Sequence, residues 1–265
     1  MLPTPDTSHV AYERVYEPAE DSFLFLDTLS SASETAFLQT RFHGSATSSP
    51  PPLVVEIGPG SGVVIAFITA HASTLFGTRH IVTGAVDMNA HACIATTETV
   101  RKAVSSSPST AGMEFLGAAQ GDLVGPLRDH SVDVLVFNPP YVPTPEMPSW
   151  EGPRDDRGKD SRRMDTAGSS FEEDSYLLAL SYAGGRDGME TTDRLLDSLP
   201  RVLSARGCAY VLLCAQNKPE EVKERVRRLG GGSWMAQTVG SSGKQAGWEK
   251  LQIIRIWRDV EASIS

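Results

Sequence analysis

Apolar and polar positions alternate along this chain in blocks that predict strands separated by helices. Leu53-Val54-Val55, Ile81 to Val86 and Val134-Leu135-Val136-Phe137 are short apolar runs rich in β-branched residues, each closed by a proline or acidic turn, and Ala209 to Cys214 is a further apolar run. Runs of that length without a polar alternate read as strands buried on both faces. A shorter strand is expected around Met113 to Leu116, and Leu251 to Arg258 reads as the last one. Between them lie helix-compatible stretches: Ala90 to Val104, Ser175 to Ala183 ending at Gly184-Gly185, amphipathic Met189 to Leu203, and a helix opened by Pro219-Glu220-Glu221-Val222. The proline is tolerated there because a first-turn residue needs no N–H donor. Upstream, Tyr16 to Leu29 is an acidic turn opening into a helix, with Phe23, Leu26 and Leu29 at three-residue spacing on the face expected to pack. Strands alternating with helices predict an α/β fold, a doubly wound sheet with helices on both faces.

Two stretches fit neither period. Gly44 to Pro52 is a low-complexity Ser/Pro linker, so that residues 1–52 form an N-terminal segment and linker ahead of the sheet. Within residues 145–175, five acids and five bases crowd Glu151 to Asp165, which predicts a mobile charged insertion; a lid over the sheet rim would have the same composition. The 265 residues together are expected to form a single domain.

Composition narrows the classes. No apolar run approaches the ~18 residues of a membrane span, and Met1-Leu2-Pro3-Thr4-Pro5-Asp6 lacks the basic and apolar regions of a secretory signal. Three scattered cysteines, Cys93, Cys208 and Cys214, form neither a disulfide framework nor a C-x-x-C pair. They read as buried thiols in a reducing compartment, cytoplasm or nucleus, and no metal site is expected. The net charge of −9, from 24 basic and 33 acidic side chains, argues against docking on phosphate backbones.

The chemistry gathers at the predicted strand ends. Glu56-Ile57-Gly58-Pro59-Gly60-Ser61-Gly62 spaces its residues as E-x-G-x-G-x-G, whereas a dinucleotide fingerprint would need glycine where Val63 stands. Gly58 and Gly60 let backbone approach a ligand, and Glu56 can face an ammonium group; a tight turn without ligand would use the same glycines. Asp87-Met88 closes the second strand, where one carboxylate can accept from both ribose hydroxyls, unless it only caps the next helix. Asp122-Leu123 places an acid for an exocyclic amine beside an apolar side chain for a ring. Glu20 and Ser22, with Asp21, can close over a cationic small molecule, although helix capping alone accounts for them.

Asn138-Pro139-Pro140-Tyr141 ends the fourth strand, since two prolines cannot continue a ladder. Asn138 Oδ1 and the Pro139 carbonyl can each accept one hydrogen of a planar NH2 group while Tyr141 covers its face. A satisfied asparagine in a proline-terminated turn would read alike.

These four strand-end groups resemble class I S-adenosylmethionine-dependent methyltransferases. The pairing of N-P-P-Y-V with upstream Y-E-P-A-E-D-S-F-L-F-L-D is similar to the eukaryotic and archaeal HemK-type glutamine methyltransferases of class 1 translation termination factors, over about residues 12 to 144 and 176 to 258; Ala183 to Gly188 also resembles that family. The resemblance implies a seven-stranded sheet with the last strand antiparallel, S-adenosylmethionine as methyl donor, and a release-factor glutamine amide as acceptor. It also implies a small zinc-binding activator subunit bound along the edge near the third strand. Adenine methylation on DNA or RNA, lysine methylation and a non-catalytic assembly role are the competing readings. For lysine, no acidic or aromatic cage is evident at the rim.

Overall fold

A computed structural model describes residues 2–42, 50–106, 112–148, 175–229, 233–243 and 250–259. The charged stretch Glu151 to Asp165 and most of the Gly44 to Pro52 linker lie outside the described residues.

Seven strands form one sheet: β1 Leu53–Ile57, β2 Ile81–Asp87, β3 Met113–Gln120, β4 Val132–Phe137, β5 Leu203–Leu213, β6 Trp234–Ser241 and β7 Gln252–Arg258. Their order is β3-β2-β1-β4-β5-β7-β6. The first five strands run parallel, and β7 is antiparallel to both neighbours. The expected fold class and the antiparallel last strand are therefore present. Strand order reverses between β1 and β4, which opens a crevice at their carboxyl ends. Ile57 is in register with both Val86 and Phe137, so Gly58, Asp87 and Asn138 leave the sheet at one level.

Alternation along the strands explains the unbroken apolar runs. Val54, Val134, Val136, Tyr210 and Leu212 join one core cluster with Phe25, Leu29 and Leu38, while Val55, Leu135, Phe137 and Val211 join another with Leu195, Leu199 and Val226. The first face is covered by α1 Glu20–Leu29, α2 Ala32–Phe42, α3 Val63–Ala70, α4 Ala72–Phe76 and α5 Ala90–Ser105; α7 Glu190–Val202 and α8 Pro219–Arg227 cover the second. Residues 175–180, α6, are helical near the rim.

Several expectations change. Phe23 is 44% exposed, and Phe25 takes its place in the core with Leu26 and Leu29; the buried stripe runs at i, i+3, i+4 and i+7 from Ser22, and simple three-residue spacing drifts off it. Of the seven strands that the resemblance implies, β6 is the one the apolar pattern does not locate, because an edge strand buries only alternate residues, here Trp234 and Ala236. It also moves β7 from the sheet's edge into its interior. Strand β3 extends past Leu116 through Gly117 at φ +107, where the pairing with β2 shifts register, as glycine-containing bulges do. All three cysteines are buried thiols outside any disulfide, and burial pushes the Cys208 thiol up to about 12. Among the described residues no His/Cys/Asp/Glu group could hold a metal, and no helix is long and apolar enough to cross a membrane.

Candidate active site

The turn after β1 passes through left-handed backbone at Gly58, Gly60 and Gly62, with φ of +61, +54 and +78. At Gly62 a Cβ would lie 2.6 Å from Thr96 Cα on α5, so glycine is required both for conformation and for packing. Glu56 reaches across this turn, and its Oε2 accepts from the Ile65 N–H at 2.8 Å, tying the first turn of α3 to the strand end. Asp87 is tied likewise: Oδ1 accepts from Asn89 N–H at 2.8 Å and Oδ2 from Gly60 N–H at 3.2 Å. Burial pushes the Glu56 carboxyl up to about 8, partly offset by the Ile65 N–H and reinforced by nearby Asp87. The Asp87 carboxyl is raised by burial too. Burial disfavours the carboxylate form of both acids, so a cation placed beside them would restore that form.

A cavity of about 410 Å³ occupies this crevice, and Ser22, Glu56, Gly58, Gly60, Asp87, Met88, Asp122, Leu123, Asn138, Pro139 and Tyr141 all line it. Glu20 does not; it is exposed, and Asp21, 100° further round the helix, is buried against the cavity instead. The Asp122 carboxylate is engaged by Arg194 of α7, which also lines the cavity. Arg194 carries no sequence signal, being one arginine among several on an amphipathic helix. The segment at Arg186 is held by its backbone N–H, which donates to Glu190 Oε1 at 3.0 Å.

At the far wall, Asn138 Nδ2 donates to Asp21 Oδ2 at 3.0 Å. Tyr16 O–H donates to the same oxygen at 3.0 Å, and Asp21 Oδ1 accepts from Ser22 N–H at 2.6 Å and Ser22 O–H at 3.2 Å. Because a carboxylate can only accept, this contact orients the Asn138 amide. Asn138 Oδ1 is then left buried and without a hydrogen-bond partner. An orphaned buried acceptor costs about 1–3 kcal/mol, and an incoming N–H group would recover it. The sequence analysis expected no acidic or aromatic cage for an ammonium chain at this rim. Asp21, 117 residues from Asn138, does bring a carboxylate there beside Tyr16. With four donors already on its two oxygens, Asp21 has no free acceptor site for an ammonium group.

No protein-family model matches the chain. Among curated proteins, it is 33% identical to methyltransferase HEMK2 of Mus musculus over 258 residues, covering 96% of each chain. It is 30% identical to the eRF1 methyltransferase catalytic subunit mtq2 of Schizosaccharomyces pombe over 263 residues, covering 97% of this chain and 96% of that one. A candidate protein N5-glutamine methyltransferase of Methanocaldococcus jannaschii is 26% identical over 247 residues, 93% of each chain. With sheet order, rim geometry and end-to-end similarity in agreement, the chain belongs to the methyltransferase family of HEMK2 and mtq2.

Proposed function

We propose that this enzyme transfers a methyl group from S-adenosylmethionine to the side-chain amide nitrogen of the glutamine in the Gly-Gly-Gln motif of the class 1 translation release factor. The observation that carries the acceptor is the orphaned, oriented Asn138 Oδ1 in the cavity wall. The names of the fission-yeast and methanogen relatives, an eRF1 methyltransferase subunit and a glutamine methyltransferase, support the same acceptor. The residues present suit the cofactor: glycine backbone and Glu56 on one side for an amino-acid moiety, Asp87 for ribose hydroxyls, and Met88 and Leu123 for an adenine face. Bound there, S-adenosylmethionine supplies an electrophilic methyl group. Asn138 Oδ1 and the Pro139 carbonyl would each accept one amide N–H, and Tyr141 would hold the amide plane. So fixed, the nitrogen lone pair would turn out of conjugation with its carbonyl and toward the methyl carbon; the N–C bond would form as the C–S bond breaks, with a neutral thioether as leaving group and one amide proton passing to water.

The catalytic subunit is further proposed to work with a small zinc-binding activator. Edge strand β3, where Leu116 is 66% exposed, offers the apolar edge such a partner would cover. Purified chain, alone and with the activator, is to be given labelled cofactor with release factor, duplex DNA or a lysine peptide. Mass spectrometry is expected to find one methyl on the Gly-Gly-Gln glutamine, and more of it with the activator. Methyl transfer to adenine or lysine alone would sink the assignment.

Glu56 makes a second expectation. Its folded value, about 8, lies above the ordinary 4.5, so the free protein holds a proton there that the unfolded chain loses. Its contribution to folding is therefore present below about pH 4.5 and fades as pH rises toward 8. A cation bound beside it favours the carboxylate, which expels the proton. Cofactor affinity should rise with pH up to about 8, by at most about tenfold per unit, and Glu56→Gln should flatten the rise. Calorimetry in two buffers of different ionisation enthalpy reads the proton directly; no proton release in the wild-type chain would contradict this.

A further inference from the structure

The Ala183-Gly184-Gly185-Arg186-Asp187-Gly188 segment has no role in the chemistry above, and neither does the buried Asn217. They meet the Asn138-Pro139-Pro140-Tyr141 turn from outside the cavity. Asn217 follows β5 in a 3-10 turn, and its Oδ1 accepts from Cys214 N–H at 2.7 Å. Its Nδ2 is aimed at three carbonyls: Tyr141 at 3.0 Å, Asp187 at 3.0 Å and Gly188 at 3.3 Å. Two amide hydrogens shared among three acceptors, in a residue only 2% exposed, leave Asn217 with one possible placement. The backbones also pack without room for side chains. A Cβ on Gly188 would lie 2.1 Å from the Tyr141 oxygen, and one on Gly184 would lie 2.6 Å from the Pro140 oxygen. Gly184 N–H donates to the Val142 carbonyl at 2.8 Å, and Thr144 N–H to the Gly185 carbonyl at 3.0 Å.

We propose that Asn217 is a positioning residue for methyl transfer: by joining the Tyr141 carbonyl to the Asp187-Gly188 turn, it clamps the Asn138-Pro139-Pro140-Tyr141 backbone in the geometry that receives the acceptor amide. This rests on the functional reading above. It follows from where the clamp acts. Prolines fix φ at two of the four positions, but the peptide planes on either side of Pro140 remain free to turn. Holding the carbonyls of Pro140 and Tyr141 against Gly184 and Gly188 removes that freedom. Asn217 itself does not line the cavity, so it bears on the acceptor only through the turn.

Asn217→Asp is the informative change. It keeps the shape and the acceptor for Cys214 N–H but turns a carboxylate oxygen toward three carbonyls, which cannot donate in return. In the full chain with its activator, kcat per cofactor-binding site is expected to fall about 10²-fold, the cost of misplacing a reacting group by about 1 Å. The dissociation constant of S-adenosylhomocysteine should stay within about tenfold of wild type, under 1.4 kcal/mol. Backbone amide exchange should quicken at Val142, Thr144 and 184–188. Gly188→Ala drives a Cβ into the same junction, 2.1 Å from the Tyr141 oxygen and 2.6 Å from Asn217 Nδ2, and it should reproduce the same split if the aspartate variant does not fold. A parallel loss of cofactor binding and turnover in both variants would overturn the proposal in favour of a general structural role. Unchanged turnover or unchanged exchange would overturn it as well. A wild-type chain that methylates no Gly-Gly-Gln substrate would instead overturn the functional reading, and the exchange measurement would still decide whether Asn217 clamps the turn.

Discussion

Asn138→Ala is expected to lower turnover on a Gly-Gly-Gln substrate by about 10³-fold, the upper range for removing one preorganised polar contact to a reacting group. Two contacts go at once. The substrate loses its acceptor, Oδ1, and Asp21 loses the Nδ2 donor that completes its set of four. Cofactor affinity should change by less than about tenfold, because Glu56, Asp87 and the glycine turn are tied to backbone rather than to Asn138. Single-turnover kinetics beside calorimetric titration of S-adenosylhomocysteine separates the two effects. Near-normal methylation by the variant would remove Asn138 from the mechanism.

Glu34→Ala should be the most destabilising single change outside the cavity, by about 3–5 kcal/mol. Glu34 on α2 is buried, and its two oxygens accept from Arg255 Nη1 at 2.8 and 2.6 Å, with Tyr210 O–H donating at 2.9 Å. The guanidinium of Arg255 lies 3.6 Å from the Phe37 ring centre and 4.7 Å from that of Trp257, and the residue is buried. Removing the carboxylate leaves a desolvated cation without a counter-charge and a buried hydroxyl without an acceptor. At roughly 2–4 °C per kcal/mol for a chain of this size, the melting temperature should drop by about 10 °C. Because the cost lies in the stranded charge, Glu34→Leu with Arg255→Met should recover most of it. Calorimetric melting of wild type, single and double variants tests this; a double variant as unstable as the single one would mean the pair itself, and not its breaking, carries the stability.

Much of this protein is written in local pattern. Apolar runs such as Val134 to Phe137 determined which segments become buried strands, because a strand covered on both faces has no polar alternate to spare. The residues that follow those runs, Gly58, Asp87 and Asn138, had to share one rim once the strands were parallel and in register. Nearly the whole lining suggested by the sequence stands at the cavity for that reason. Where the pattern weakens, legibility ends. Edge strand β6 buries only alternate residues, and the spacing of Phe23 mistook which side of α1 turns inward.

The partners of those residues were decided only in three dimensions. Asp21 meets Asn138 across 117 residues, Asn217 meets Tyr141 across 76, and Glu34 meets Arg255 across 221. Each is a polar side chain whose burial is tolerable only because of a hydrogen-bonding group from a distant segment, and a sequence period of two or 3.6 residues carries no information about such pairs. The sequence by itself thus determined where chemistry would gather; tertiary contacts decided which oxygen of Asn138 is left open to accept, because only the folded chain brings Asp21 to the other end of that amide.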